Sequence, residues 1–227
     1  MSRQTAAVLP LALALLCILS ISAPAQDYAS WIRYSDRSDN PLIVQMIHEA
    51  DLSTALQITS AIGQREDARI QEIILAVGER SDPRPLWERE LILRALLASV
   101  FPGSLTDPEL EGRLRMNREG LDFLVAGLPG FTLSLKREVV RLLGFLHPPG
   151  YLSALMAEGR RLADLLTLQR GDLNGEQAGL TLTYLETLER IADPEFAEIV
   201  LLILERSRHL EVAQAARSVS RLLLLKE

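Results

Sequence analysis

The chain has 227 residues, 48% hydrophobic and only 5% aromatic, long enough for one domain with a substantial core. Abundant aliphatic residues, with few strand-type alternations of Val, Thr or Tyr, favour helices over sheets. A formal charge of −6 counts against the clustered basic surface that nucleic acid requires, so no nucleic-acid partner is expected.

Met1-Ser-Arg3 is a short basic start, followed by an almost wholly apolar run from Ala6 to Ile21 and then Ser22-Ala23-Pro24-Ala25. Small residues at Ala23 and Ala25 fit the cleavage site of a secretory signal peptide, 1–25, which leaves Gln26 as the new N-terminus. The apolar run is about sixteen residues, short of the roughly 20 of a spanning helix, so removal is expected rather than retention as an anchor. Contact with a membrane is then expected only through this segment before cleavage. Cys17 is a poor acylation site, because Leu16 precedes it where a small residue is needed. With the leader gone the chain keeps no cysteine, which excludes disulfides, thiolate metal sites and a cysteine nucleophile. Arg3 is the only charge removed, leaving 30 acidic and 23 basic residues, a balance of −7. The expected location is outside the cytoplasm, periplasmic or secreted.

Residues 26–40 form an aromatic and polar arm carrying Tyr28, Trp31 and Tyr34, with no clean period of 3.6 or 2. Such an arm either folds back over the first hairpin or docks a partner through Trp31 and Tyr34, residue types favoured at binding hot spots.

The remaining chain, 41–227, reads as helices with consistent punctuation. Asn40-Pro41 starts a short helix to about Ala50. Asp51 caps a second, with Leu52, Ala55, Leu56, Thr59 and Ile62 as its stripe, ending near Gly63. Asp67 is expected to open a third, with Ile70, Ile73, Ile74 and Val77 facing inward. From Leu86 to Phe101 the chain is apolar nearly all round, which predicts an interior helix with neighbours on several sides. Thr106-Asp107-Pro108-Glu109 opens the next, expected to run to about Ala126. Leu133 to Leu146 follows. After the break at His147-Pro148-Pro149-Gly150, Tyr151 to Leu168 is the cleanest amphipathic stretch. Gly159 lies inside its apolar stripe at a cost of about 1 kcal/mol, which points to close approach of a neighbouring backbone. Gln169 to Gly179 holds three glycines and is the best candidate for a mobile loop.

The closing stretch repeats a unit. Leu182, Leu185, Leu188 and Ile191 line one helix, and Asp193-Pro194-Glu195 is both its stop and the next start. Phe196, Ile199, Val200, Ile203 and Leu204 line the second. Val212, Ala215, Ala216, Val219, Leu222 and Leu223 line the third. Ile191-Ala-Asp-Pro-Glu-Phe196, its leucine-rich helix and Glu211-Val212 with Ala215, Ala216 and Val219 resemble a divergent HEAT-type helical repeat, clearest over 180–225. Ala213 replaces the family's usual Arg, and His209-Leu210 replaces its second Asp-Pro turn. First-helix starts near residues 53, 87, 133, 176 and 210 give steps of roughly 34 to 47 residues, in the range of helical repeats. The resemblance implies an all-α fold: a right-handed α-solenoid of about four to five HEAT-like hairpins, a shape that holds partners.

No constellation carries chemistry. His48, His147 and His209 stand at helix ends or joints far apart in sequence, and His48-Glu49 lacks the second histidine of a zinc helix. Glu186, Glu189, Glu195, Glu198 and Glu205 alternate with arginines as a solvated face. No nucleophile elbow, phosphate loop or dinucleotide fingerprint is present. No catalytic, cofactor or metal residue is therefore assigned, and an enzyme is not expected. The expected function is an exported scaffold or adaptor that binds a protein or peptide through its repeat surface. The alternative is a structural subunit of a homo-oligomer or cell-envelope complex, docking through its apolar C-terminal helix. The candidate partner contacts are Trp31 and Tyr34 at one end, and Leu223 and Leu225 at the other.

Overall fold

Short polar side chains cap the starts of three helices, at Asp51, Thr106 and Asn174. In a computed structural model, residues 25–65, 69–79, 82–146 and 149–225 are described. They form twelve α-helices with no strand among the described residues. In chain order these are α1 (Ala25–Tyr34), α2 (Asn40–Glu49), α3 (Leu52–Ile62), α4 (Gln71–Gly78), α5 (Leu86–Val100) and α6 (Asp107–Met116). Then come α7 (Arg118–Gly127), α8 (Leu133–Leu146), α9 (Pro149–Leu168), α10 (Gly175–Ile191), α11 (Ala197–Arg206) and α12 (Leu210–Leu224). The apolar leader with Cys17, Asp67 and His147 lie outside the described residues, and the helix expected to open at Asp67 begins at Gln71.

Of the caps expected from sequence, those at Asp51 and Thr106 are formed. Asn40 instead lies within the first turn of α2, and its side chain donates to Arg69 O and Glu72 Oε2. The cap at Asn174 was not foreseen. Asp51 accepts the Thr54 amide at 2.9 Å and its hydroxyl at 2.9 Å, and these bonds hold its carboxyl below the ordinary range. Thr106 with Glu109 and Asn174 with Gln177 form reciprocal capping boxes at α6 and α10. At the opposite ends, arginines from neighbouring elements satisfy the orphan carbonyls. Arg84 donates to Ile47 O and Ala50 O at the end of α2. Arg113 donates to Val100 O and Arg141 to Phe101 O, each at 2.7 Å, where α5 stops. A guanidinium there also meets the negative end of the helix dipole.

The helices sort into two rows by what they touch. One row runs α1, α3, α5, α8, α10, α12, each packed on the next, and the other runs α2, α4, α7, α9, α11. Helix α6 lies beside α7 and α8, outside both sequences. Neighbours within a row are parallel. Glu90, near the start of α5, accepts the Thr132 amide just before α8, and Arg141 reaches the end of α5. Between α8 and α10, Thr187 Oγ1 donates to Val140 O at 3.1 Å, while Arg190 lies over the Phe145 ring at 3.8 Å. Short connections make the two rows antiparallel to each other. Apolar stripes from both fill the space between, with Phe101, Tyr184 and Phe196 among the largest fully buried side chains.

Five sequence expectations need correction. The arm is a helix: Ile32, fully buried, seats α1 on α3, so one buried position per face was too short a pattern to read. The stretch 107–126 is two helices, broken at Asn117. That side chain is fully buried and accepts the Ile70 amide at 2.5 Å while donating to Arg113 O at 2.7 Å. It thus closes one helix and caps another 47 residues away. Replacing Asn117 with alanine should cost about 1–3 kcal/mol and speed exchange of the Ile70 amide, which hydrogen-exchange NMR would read. An Ile70 amide equally protected in the variant would refute the capping role.

The third correction concerns residues 169–179, of which only Gln169 to Asn174 is loop. Arg170 and Gly171 take left-handed backbone (φ 55° and 88°), and the Gly171 amide donates to Leu166 O at 2.8 Å. Gly171 O in turn accepts the Arg208 amide at 2.9 Å, tying the loop to the α11–α12 joint. Fourth, Gly159 yields to a side chain rather than a backbone: a Cβ there would lie 2.0 Å from Tyr184 Oη. Fifth, α5 is interior over most of its length, yet its first turn leaves Leu86 and Trp87 each 57% exposed.

Candidate functional site

Three places carry unusual side chains: the two ends of the rows, a cleft on the first row, and a sealed charge cluster between the rows.

At the N-terminal end, Trp31 is 37% and Tyr34 81% exposed on either side of buried Ile32, and Leu42 of α2 is also exposed. Arg33, between the aromatics, is bonded to Gln64 at 2.6 Å. The helix covers α3, the first of the two readings of the arm, and leaves Trp31 and Tyr34 exposed. At the other end Leu223 is 0% exposed and belongs to the core, because its position on α12 continues the Val212, Ala216 and Val219 stripe. It cannot meet a partner without leaving that core. Leu224 and Leu225 are exposed instead. Along the rest of α12 the outward positions are Leu210 in the first turn and then the polar Glu211, Gln214, Arg217, Ser218 and Arg221.

The cleft lies where α5, α8 and α10 adjoin. It has a volume of about 160 Å³ and is lined by Arg94, Leu133, Ser134, Arg137, Glu138 and Glu176. Glu138 is matched by Arg141 at 3.2 Å. Arg94, Arg137 and Glu176 are exposed.

The sealed cluster joins Glu90, Lys136, Glu158 and Tyr184, all at most 3% exposed. Lys136 Nζ lies 3.3 Å from Glu158 Oε2, which also accepts Arg161 Nε at 2.9 Å. Burial holds the Lys136 ammonium below its ordinary range, against the pull of Glu158. Tyr184 Oη is buried without a hydrogen-bond partner, and burial drives its phenol far up. Nearby, Tyr151 donates to Asp122 Oδ1 of α7, and burial with that bond pushes it up to about 12. Charges closed off in this way fix the contact of α8 with α9; solvent and ligands do not reach them.

His48 Nε2 approaches buried Asp82 Oδ2 at 3.3 Å, and His209 stands at the start of α12. No three His, Cys, Asp or Glu side chains among the described residues converge as metal ligands. The carboxylates of Glu186, Glu189, Glu195, Glu198 and Glu205 are exposed. Sequence reading missed the cluster, although a signal was there: Lys136 precedes Val139 and Val140, and Glu158 precedes Leu162, at the spacing of their apolar stripes. It also missed Arg94 and Arg137, because only the packing brings α5 and α8 together. Family models, curated proteins and solved structures offer no match to this chain.

Proposed function

We propose that the chain is an exported, non-enzymatic α-solenoid scaffold of HEAT-like hairpins that holds a protein or peptide on its first row of helices. One observation carries this reading: two rows of helices, parallel within each row and antiparallel between rows, stacked so that each helix meets the next of its own row, with α6 outside both. That is the arrangement by which helical repeats extend a surface instead of enclosing a cavity. The right-handed sense, the periplasmic or secreted location and the cleavage after Ala25 are parts of the same proposal.

The test places a photoreactive residue at Gln57, Ala98, Glu186 or Arg217 on the first row, and at Gln45, Arg160 or Glu198 on the second. All seven positions are exposed. One protein from the cell envelope should crosslink from the first row alone. Equal capture from both rows would remove the row assignment, and a purified protein retaining Met1 would remove the export.

The competing reading, a subunit that self-associates through α12, rests on Leu224 and Leu225. Their replacement by glutamate should leave the mass by light scattering unchanged if the scaffold reading holds. Leu223 is unsuited to that test, since a buried glutamate there would unfold the helix pair.

A further inference from the structure

We propose that the cleft between α5, α8 and α10 receives a carboxylate side chain from an acidic peptide segment of the partner, held by Arg94 and Arg137; this rests on the scaffold reading above. In a chain with an acidic excess, other arginines of the neighbouring helices are committed internally. Arg141 serves Phe101 O and Glu138, Arg190 covers the Phe145 ring and contacts Asp107, and Arg89 reaches Gly78 O and Glu79 O. Arg94 and Arg137 have no hydrogen bond or ion pair among the described residues, and both line the cleft.

Arg137 is placed as well as free. Its Nη1 lies 3.3 Å from where a Cβ would sit on Gly179, so the guanidinium rests over the α10 backbone at a position that glycine keeps open. Two planar guanidinium groups match carboxylate oxygens in charge and geometry. At about 160 Å³ the space is below the roughly 300–1,000 Å³ of small-molecule sites and suits one side chain. Glu176 adds a negative charge at the α10 lip. It favours a carboxylate flanked by neutral residues over a dense polyanion.

The probe is the peptide acetyl-Gly-Glu-Gly-Glu-Gly-amide, with its Gln-for-Glu analogue as control, titrated into the full chain and followed by NMR shifts of the 133–137 amides. The Glu peptide should bind and the Gln peptide should not. Binding should weaken about tenfold in Arg94→Ala/Arg137→Ala. It should weaken comparably in Gly179→Leu, which displaces the Arg137 guanidinium while keeping both charges. Equal shifts from the two peptides, no binding, or affinity unchanged in the arginine variant would overturn the assignment. If Gly179→Leu loses its helical circular dichroism, the arginine variant decides alone. Should the crosslinked partner still bind Arg94→Ala/Arg137→Ala, the scaffold reading stands and only this cleft's role falls.

Discussion

Gly159→Ala should destabilise the protein by about 2 kcal/mol, although alanine is the better helix former. Within α9 the exchange by itself favours alanine by about 1 kcal/mol. Against this, the new methyl would sit 2.0 Å from Tyr184 Oη, 2.6 Å from its Cζ and 2.8 Å from Ile199 Cγ2. Tyr184 is fully buried and Ile199 nearly so, and neither can move without displacing the interface of α9 with α10 and α11. Overpacking of this kind costs about 1–3 kcal/mol and occasionally more, and three such contacts place it at the upper end. Thermal unfolding by circular dichroism should show a midpoint lower by about 4–8 °C. Tyr184→Leu in the alanine background should recover most of the loss, because it removes the ring that clashes. Tyr184→Phe should recover part, since it removes the nearest atom, one that has no hydrogen-bond partner. A Gly159→Ala protein as stable as the parent would show that α9 and α10 are not in the contact described.

Removing one member of the sealed charge cluster should cost more. Glu158→Ala is expected to lose about 3–5 kcal/mol, because it strands the Lys136 ammonium at 2% exposure, with Glu90 as its remaining acidic neighbour. Arg161 also loses its partner but reaches solvent and suffers little. Replacing both members, Lys136→Met with Glu158→Leu, should return stability to the parent value or above it, as dispensing with a buried pair often does. The pH profile separates this from a simple cavity. Burial lowers the folded-state pKa of Lys136 below its ordinary 10.5. For a base this means that the penalty is full below the folded pKa and is lifted as pH rises toward the unfolded value. Glu158→Ala should therefore regain stability between pH 7 and pH 10 relative to the parent, measured by urea denaturation. A constant difference across that range would assign the loss to packing alone.

Most of the fold was legible because its boundaries are written in local chemistry. Asp51 and Thr106 cap the helices that follow them, and Asp193-Pro194 divides α10 from α11. Apolar stripes in α4 and α11 predicted the buried residues there, whereas in α3 Ile58 and Ala61 are buried outside the stripe that was read and Leu52 and Leu56 are only half-buried. What stayed hidden depends on partners distant in sequence. Asn117 looks like an ordinary polar residue within a helix until Ile70 is brought to it. Tyr184 explains Gly159 only when α9 and α10 adjoin. The burial of Lys136 and Glu158 needs both helices in place, since one charge in an apolar stripe more often reaches out to solvent than stays inside. Among the candidate contacts, Trp31, Tyr34 and Leu225 are on the surface, whereas Leu223 belongs to the stripe that its spacing from Val212, Ala216 and Val219 already implied. The leucine run obscured that difference, because hydrophobicity alone does not say which of four adjacent leucines turns inward.

The connectivity of the two rows bears on how the chain acquires its shape. The main packing joins helices one to three elements apart, and even the Asn117–Ile70 and Thr187–Val140 bonds span 47 residues. The Arg190–Asp107 contact, at 83 residues, is exposed and marginal. Loops to be closed are short, so ordering entropy is recovered soon after it is lost. A polypeptide delivered N-terminus first through a narrow opening can then fold as it emerges. Each new helix of a row finds its seat already built by the row's preceding helix, and the growing edge, rather than the completed molecule, is the template.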